Sequence, residues 1–139
     1  MSSTTNPAQT TKFSSIMQNA LIAGVIAGVI NVIIFFIGGT LVGGIEFDMN
    51  MTGEFAPMPF FMPIVASLLP SLLAGIGLWI ARRFIPRGNM VFIIGTAILT
   101  LLSLAGPFNG QIATQGASIV LASMHLVVGA VLIGYLAQR

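Results

Sequence analysis

The chain has 139 residues, of which 56% are hydrophobic and only 6% are charged, whereas soluble domains carry roughly 25% charged residues. A water-soluble domain of this size needs polar groups over most of its surface, so the composition excludes a soluble enzyme and a disordered chain. A formal net charge of +2 is too small for the positive surface of a nucleic-acid-binding protein. With a mean hydropathy of +1.03, the sequence predicts an integral membrane protein in contact with lipid.

The charged residues divide the chain into candidate membrane spans. Three stretches contain no charge, at 13–45, 55–81 and 88–138. About 20 apolar residues cross a bilayer, so the first two stretches hold one helix each. The third is long enough for two helices, and Pro107 with the pair Asn109-Gly110 marks the break between them. The predicted fold is all-α, a four-helix transmembrane bundle with spans at about 16–42, 63–83, 90–107 and 113–137.

The flanking segments and their charges predict the orientation. Residues 1–15 are expected to form a polar tail, and 43–62 an outer loop rich in methionine and phenylalanine. The five basic residues all fall on one side of a four-span chain, and the three acidic residues fall in the first connection on the other side. The positive-inside rule therefore places both termini in the cytoplasm, in a multi-pass protein of the bacterial cytoplasmic (inner) membrane. The basic residues are Lys12, Arg82, Arg83, Arg87 and Arg139, and the acidic ones are Glu46, Asp48 and Glu54.

Small and polar residues indicate how the helices pack. Helices in lipid associate through close approach and a few polar contacts, and an unpaired polar group in hydrocarbon is costly. The rise of roughly 1.5 Å per residue places several polar side chains near the bilayer midplane. We therefore expect one helix-packing polar layer whose polar side chains hydrogen-bond with one another. Its predicted members are Gly24, Gly28, Asn31, Ser71, Thr100, Ser103, His125 and Gly129.

His125 is the one residue expected to bind a cofactor. It is the only histidine in the chain, and an intramembrane ionisable residue is a functional candidate. One interpretation is an axial ligand to a haem iron or to the magnesium of a chlorophyll-type pigment. The other is a neutral histidine that makes a hydrogen bond to a facing helix. No acidic residue lies within a span, so no catalytic residues and no further metal site are predicted, and the protein is not expected to be an enzyme.

The order of these features resembles a known family. A first helix with small residues and Asn31 precedes a proline-bearing helix that ends in Ala81-Arg82-Arg83, and a turn with Pro86 follows. The third helix ends in Ser103-Leu104-Ala105-Gly106-Pro107, and the last carries Met124-His125-Leu126-Val127-Val128. Over about 16–138, this pattern resembles an uncharacterised bacterial family of four-helix integral membrane proteins, a domain of unknown function. The resemblance implies a fold and a location, and it implies no catalytic residue or ligand.

Three functional hypotheses follow. The first is a structural or accessory subunit that packs with other membrane proteins or with a second copy, through a face such as Gly24/Gly28, and needs no cofactor. The second is a pigment- or haem-associated subunit of an energy-converting membrane complex, with His125 as the axial ligand. The third is a small transporter or channel for a neutral solute.

Overall fold

The structure, a computed structural model, describes residues 12–48, 52–109 and 113–139, and these residues form a bundle of four helices. They are α1 (Phe13–Val42), α2 (Met62–Phe84), α3 (Gly88–Ser103) and α4 (Gln115–Gly134), and a short 3₁₀ helix, Leu136–Gln138, follows α4. This architecture confirms the all-α four-helix prediction. The first two helices, and α4 with its 3₁₀ extension, are long and apolar enough to cross a bilayer, whereas α3 is shorter. The helices therefore indicate a membrane protein.

Helix α1 begins earlier than the sequence analysis predicted. Residues 13–15 were assigned to the polar tail, but they are helical, and α1 begins at Phe13. The ring of Phe13 packs edge-on against Trp79 of α2, with the ring centroids 5.3 Å apart. This aromatic contact provides a reason for the first turn to extend beyond the apolar run. Residues 1–11 of the predicted tail lie outside the described residues.

Helix α3 is shorter than its predicted span of about 90–107. It begins at Gly88 and ends at Ser103. The next three backbone N–H groups, from Leu104 to Gly106, donate to carbonyls three residues earlier rather than four, which tightens the chain into turns. Pro107 has no N–H group and disfavours a helical conformation in the residue before it. Pro107 therefore ends α3 at Ser103, four residues before the proline itself.

The outer loop contains a strand pair that the sequence analysis did not predict. Strands β1 (Glu46–Phe47) and β2 (Ala56–Pro57) pair in antiparallel fashion, and Phe47 also forms an isolated bridge with Ala113 at the start of α4. The buried Asp48 accepts a hydrogen bond from the backbone N–H of Gly53 at 2.5 Å. The loop thus folds back onto the end of the bundle at which α4 begins. Residues 49–51 of the predicted loop lie outside the described residues.

The tightest packing in the bundle is between α1 and α2. A Cβ atom placed on Gly24 would lie 3.1 Å from the Cα of Leu68, and one placed on Gly75 would lie 2.6 Å from the Cβ of Ala20. Gly28 is likewise buried and faces Ile64 and Ser67. Because the Gly24/Gly28 face is buried within the monomer, it is not available for the self-association that the sequence left open.

Helix α3 packs more loosely, against α2 and α4. At the turn between α2 and α3, Arg87 adopts a left-handed conformation with φ 60°, and a Cβ atom on Gly88 would collide with the backbone carbonyl of Ala81. Near the other end of α3, the side chain of Thr100 fills the space that a side chain on Gly129 would need. Helix α3 thus approaches its neighbours closely at Gly88 and at Thr100. Between these two positions a gap remains between α3 and α2.

Candidate functional site: a cleft between α2, α3 and α4

The gap forms a cleft of about 680 Å³ between α2 and α3, with α4 also lining it. It extends from Met62 along α2 to Ile85, the residue just after that helix, and along α3 from Val91 to Ser103, so it spans most of the bundle height. No charged side chain of the described residues lines it. Its volume falls within the roughly 300–1,000 Å³ of ligand pockets in proteins. We call this feature the cleft.

Glycine and proline account for the open shape of the cleft. Gly77 of α2 and Gly95 of α3 both line it, and a Cβ atom placed on either would meet no atom within 4 Å. Pro70, also on the cleft wall, has no N–H group, so the Ala66 carbonyl one turn earlier lacks its usual helical donor. At these two glycine positions the sequence thus places no side chain in the gap between α2 and α3.

Asn31 of α1 lies at the wall of the cleft and links three helices. Its Nδ2 donates to the Ser67 hydroxyl on α2 at 2.9 Å and to the Met124 carbonyl on α4 at 3.3 Å. Because a carbonyl only accepts, the amide nitrogen must face Met124. The side chain is 2% exposed, and its buried Oδ1 has no hydrogen-bond partner among the described residues. Asn31 therefore joins the helices through its nitrogen, while its oxygen stays unsatisfied inside the bundle.

His125 also lines the cleft, one residue after Met124. Its Nδ1 lies 2.8 Å from the carbonyl oxygen of Leu121, one turn earlier in α4. The carbonyl cannot donate, so Nδ1 carries the proton in this contact. In the neutral imidazole the other nitrogen, Nε2, is then a lone-pair acceptor. His125 can therefore ligate a metal or accept a hydrogen bond through Nε2.

The polar side chains do not form the mutual hydrogen-bond network that the sequence analysis expected. Ser71 donates to the Ser67 carbonyl at 2.8 Å, and Ser103 donates to the Thr100 carbonyl at 2.7 Å, so each is satisfied within its own helix, as His125 is. A hydroxyl one turn from a helical carbonyl finds a partner without crossing to another helix. Asn31 alone among the predicted polar residues bonds to other helices, because its amide cannot be satisfied in that way.

The predicted layer is split between two places. Gly24, Gly28 and Ser71 lie at the α1–α2 contact, whereas five members line the cleft. These five are Asn31, Thr100, Ser103, His125 and Gly129. Ser67 was not among the predicted members of the layer, although it is the acceptor for Asn31. Its spacing of one helical turn from both Pro63 and Ser71 is the signal in the sequence that could have identified it.

The end of the bundle at the α2–α3 turn contains a second polar cluster. Arg82 donates through Nε to Asn89 Oδ1 at 2.8 Å, and both Arg82 and Asn89 donate to the Ala137 carbonyl. The Arg83 guanidinium lies 5.8 Å from the Trp79 ring centre. These contacts tie the end of the chain to the α2–α3 turn. In the described part of the chain, no three His, Asp or Glu residues come together as a metal site would require.

Comparison with known proteins identifies a family for nearly the whole chain. The model of a family of unknown function, DUF6069, matches residues 11–139. The four helices and the cleft all lie within this match. No curated protein and no solved structure matches the chain.

Proposed function

We propose that this chain, which belongs to the family of unknown function DUF6069, is a non-catalytic accessory membrane protein that holds a lipid-soluble molecule in the cleft. The observation that carries the proposal is the cleft itself, an apolar space of about 680 Å³ that spans most of the bundle. Water-soluble molecules are poorly suited to such a lining, because it offers few polar partners.

The rim of the cleft supports entry from the bilayer. Leu73 on α2 and Leu99 on α3 both line the cleft and remain 60% and 68% exposed. Exposed leucines at the rim of a membrane protein face acyl chains, so a lipid-soluble molecule enters sideways without crossing water. Its transfer from lipid to the cleft then requires little desolvation.

The lining also supports a binding role rather than catalysis. Apart from His125, none of the described side chains that line the cleft is an acid or a base in the usual range of pH, and general acid–base chemistry needs such groups placed against the substrate. We also propose the orientation given by the charges, with both termini in the cytoplasm and the outer loop on the opposite side.

Filling the cleft tests the proposal. Gly95→Leu places a large side chain where the structure has open space, and leucine favours a helix more than glycine does, so the variant should fold. We expect native mass spectrometry to detect a co-purifying lipophilic molecule with the wild-type protein and a loss of most of it with Gly95→Leu. Gly134→Leu is the matched control, because Gly134 also faces open space but does not line the cleft.

Two results would count against a lipid-soluble ligand. Equal retention by the wild type and Gly95→Leu would place the molecule outside the cleft. A co-purifying polypeptide in place of the lipophile, lost with Gly95→Leu, would show that the cleft receives a helix of another membrane protein.

A second candidate function, binding of a haem or chlorophyll-type pigment, is favoured by the geometry of His125. A histidine that donates one N–H to a carbonyl is oriented to ligate a metal through its other nitrogen, and His125 makes this bond on the cleft wall. The absorbance spectrum of the purified protein tests this function. A Soret or red band that His125→Ala removes and Thr96→Val retains would support it, and a spectrum with only protein absorbance would rule against it.

A further inference from the structure

We infer that the lipid-soluble molecule in the cleft is an anionic phospholipid, whose phosphate binds the Arg82 guanidinium while an acyl chain lies between α2 and α3. The inference rests on the proposed function and specifies the chemical class of the ligand. It draws on the position of Arg82 at one end of the cleft, on a positive charge that the described residues do not neutralise, and on the distribution of charge along the chain.

Arg82 lies where the apolar lining of the cleft ends. Its Nε donates to Asn89 of α3, and its Nη2 donates at 3.2 Å to the carbonyl of Ala137 in the 3₁₀ helix that follows α4. Asn89 precedes Phe92 and Thr96 by three and seven residues, so it shares a face of α3 with two residues that line the cleft. The guanidinium is therefore fixed between the same parts of the bundle that enclose the cleft.

The charge of Arg82 has no counterion among the described residues. Both of its hydrogen-bond acceptors are neutral oxygens, although the side chain is partly buried. Nη1 makes no hydrogen bond in the described part of the chain. Asn31 Oδ1 is the only fully enclosed polar side-chain atom without a partner there, so Nη1 is accessible from outside. An anion can thus reach a fixed cation with free donors.

The distribution of charge favours a ligand with a net negative charge. The three acidic residues all lie in the loop between α1 and α2, at the other end of the bundle. An arginine fork matches the geometry of phosphate oxygens. Phosphatidylcholine also has a phosphate, but its fixed positive charge would be repelled by the other basic residues at this end. These are Lys12, Arg83, Arg87 and Arg139.

The cleft accommodates the hydrocarbon part of such a lipid. From Ile85, beside the arginines, the lining continues along α2 to Leu73, roughly 18 Å away at 1.5 Å per residue. This length is close to half of a hydrocarbon core of about 30 Å, which is the depth of one leaflet. Leu73 is 60% exposed, so the cleft is open to the bilayer there and the second acyl chain of the lipid remains among its neighbours.

Two lipids that differ only in the headgroup test the inference. The purified wild-type protein in mild detergent is titrated with dioleoyl phosphatidylglycerol or dioleoyl phosphatidylcholine, and native mass spectrometry measures the bound fraction. We expect phosphatidylglycerol to bind about tenfold more tightly, which corresponds to about 1.4 kcal/mol. Glycerol phosphate has the anionic group without the acyl chains, and it should not displace the lipid at equal concentration.

Variants assign the preference to Arg82. We expect Arg82→Gln to bring the ratio of the two affinities close to one. Asn89→Asp should do the same, because it supplies a carboxylate as a counterion next to Nε with almost no change in shape, and it decides the question if Arg82→Gln does not fold.

Arg83→Gln is the matched control, since it removes the same charge one residue away. The Arg83 guanidinium lies over the rings of Trp79 and Phe84, and Trp79 packs against Phe13 of α1, so Arg83 is directed away from the α2–α3 contact. Arg83→Gln should keep most of the tenfold ratio. Gly95→Leu should weaken the binding of both lipids, because it fills the space for the acyl chain.

The possible failures have different meanings. Equal affinities of the wild type for the two lipids, with both weakened by Gly95→Leu, would overturn the inference and leave binding in the cleft intact. Equal loss of the preference in Arg82→Gln and Arg83→Gln would indicate general attraction to a basic surface, and displacement by glycerol phosphate would indicate a site for free phosphate; either result would overturn the inference. Undiminished binding of both lipids by Gly95→Leu would contradict the proposed function itself.

Discussion

At the scale of single residues, Asn31 is the side chain whose hydrogen bonds join three helices. One amide nitrogen joins α1 to a hydroxyl of α2 and to a carbonyl of α4. The partners remain satisfied within their own helices, since Ser67 also donates to Pro63. Asn31 therefore adds to the cohesion of the bundle without being its main source.

This arrangement predicts a modest loss of stability when Asn31 is replaced. Hydrogen bonds between membrane helices contribute about 0.6 kcal/mol each on average, so Asn31→Leu should lower the free energy of unfolding by about 1 kcal/mol. Fluorescence of Trp79, the single tryptophan, reports unfolding in mild detergent. Ser123→Ala is the control, because the Ser123 hydroxyl bonds only within α4, and it should change little. A loss of several kcal/mol for Asn31→Leu would contradict this account.

At the scale of elements, the spacing between α1 and α2 depends on glycine. The Cβ of Ala20 occupies the space that a side chain on Gly75 would need, so the two backbones approach closely. Close approach gives membrane helices dispersion contacts that lipid would otherwise provide. Gly77, two residues after Gly75 in α2, faces open space at the cleft. Glycine therefore allows two helices to approach closely at position 75 and leaves a space between helices at position 77.

Replacing Gly75 or Gly77 by alanine is predicted to have opposite effects on stability. Gly75→Ala should force α1 and α2 apart and destabilise the protein by about 1–3 kcal/mol, as overpacking of cores does. Gly77→Ala should cause no loss, because its methyl group meets no atom and alanine favours helix by about 1 kcal/mol relative to glycine in water. Melting temperatures of both variants in one detergent measure the difference. Equal destabilisation would show that backbone flexibility, rather than close packing, determines the role of Gly75.

At the scale of the whole molecule, the charged residues mark the two ends of the bundle, and the cleft runs from one end toward the other. The acidic residues belong to the outer loop, and the Arg82–Asn89 cluster holds the opposite end together with the end of the chain. The cleft runs between these ends and opens toward lipid along α2 and α3. A molecule in it is therefore expected to lie across the membrane rather than in its plane.

The orientation predicts which loops are reached from outside the cell. The chain has no cysteine, so single substitutions at the exposed residues Glu54 and Arg87 give specific labels. We expect a membrane-impermeant maleimide to label Glu54→Cys in spheroplasts, and to label Arg87→Cys only after the membrane is permeabilised. Labelling of both positions from the same side would contradict the four-span arrangement, and labelling of Arg87→Cys alone would invert it.

Composition and hydrophobic pattern were sufficient to predict the four helices, because a bilayer requires long apolar segments that satisfy their own backbone. The pattern did not specify where those helices end. Phe13 extended α1 through a contact with Trp79, far away in sequence, and the turns before Pro107 shortened α3. The strand pair in the outer loop is only two residues long on each side, which is too short for a periodic signal.

The amino-acid sequence by itself determined the class of the protein, the number of its helices and which polar residues fall within them, since these follow from what a bilayer accepts. Only the tertiary structure decided which of these residues meet. Ser71 and His125 bond within their own helices, Asn31 bridges three helices, and Gly77 and Gly95 face open space instead of a neighbour. The physical reason is that one-dimensional spacing defines the face of a helix, whereas the distance between two faces depends on every side chain that separates them.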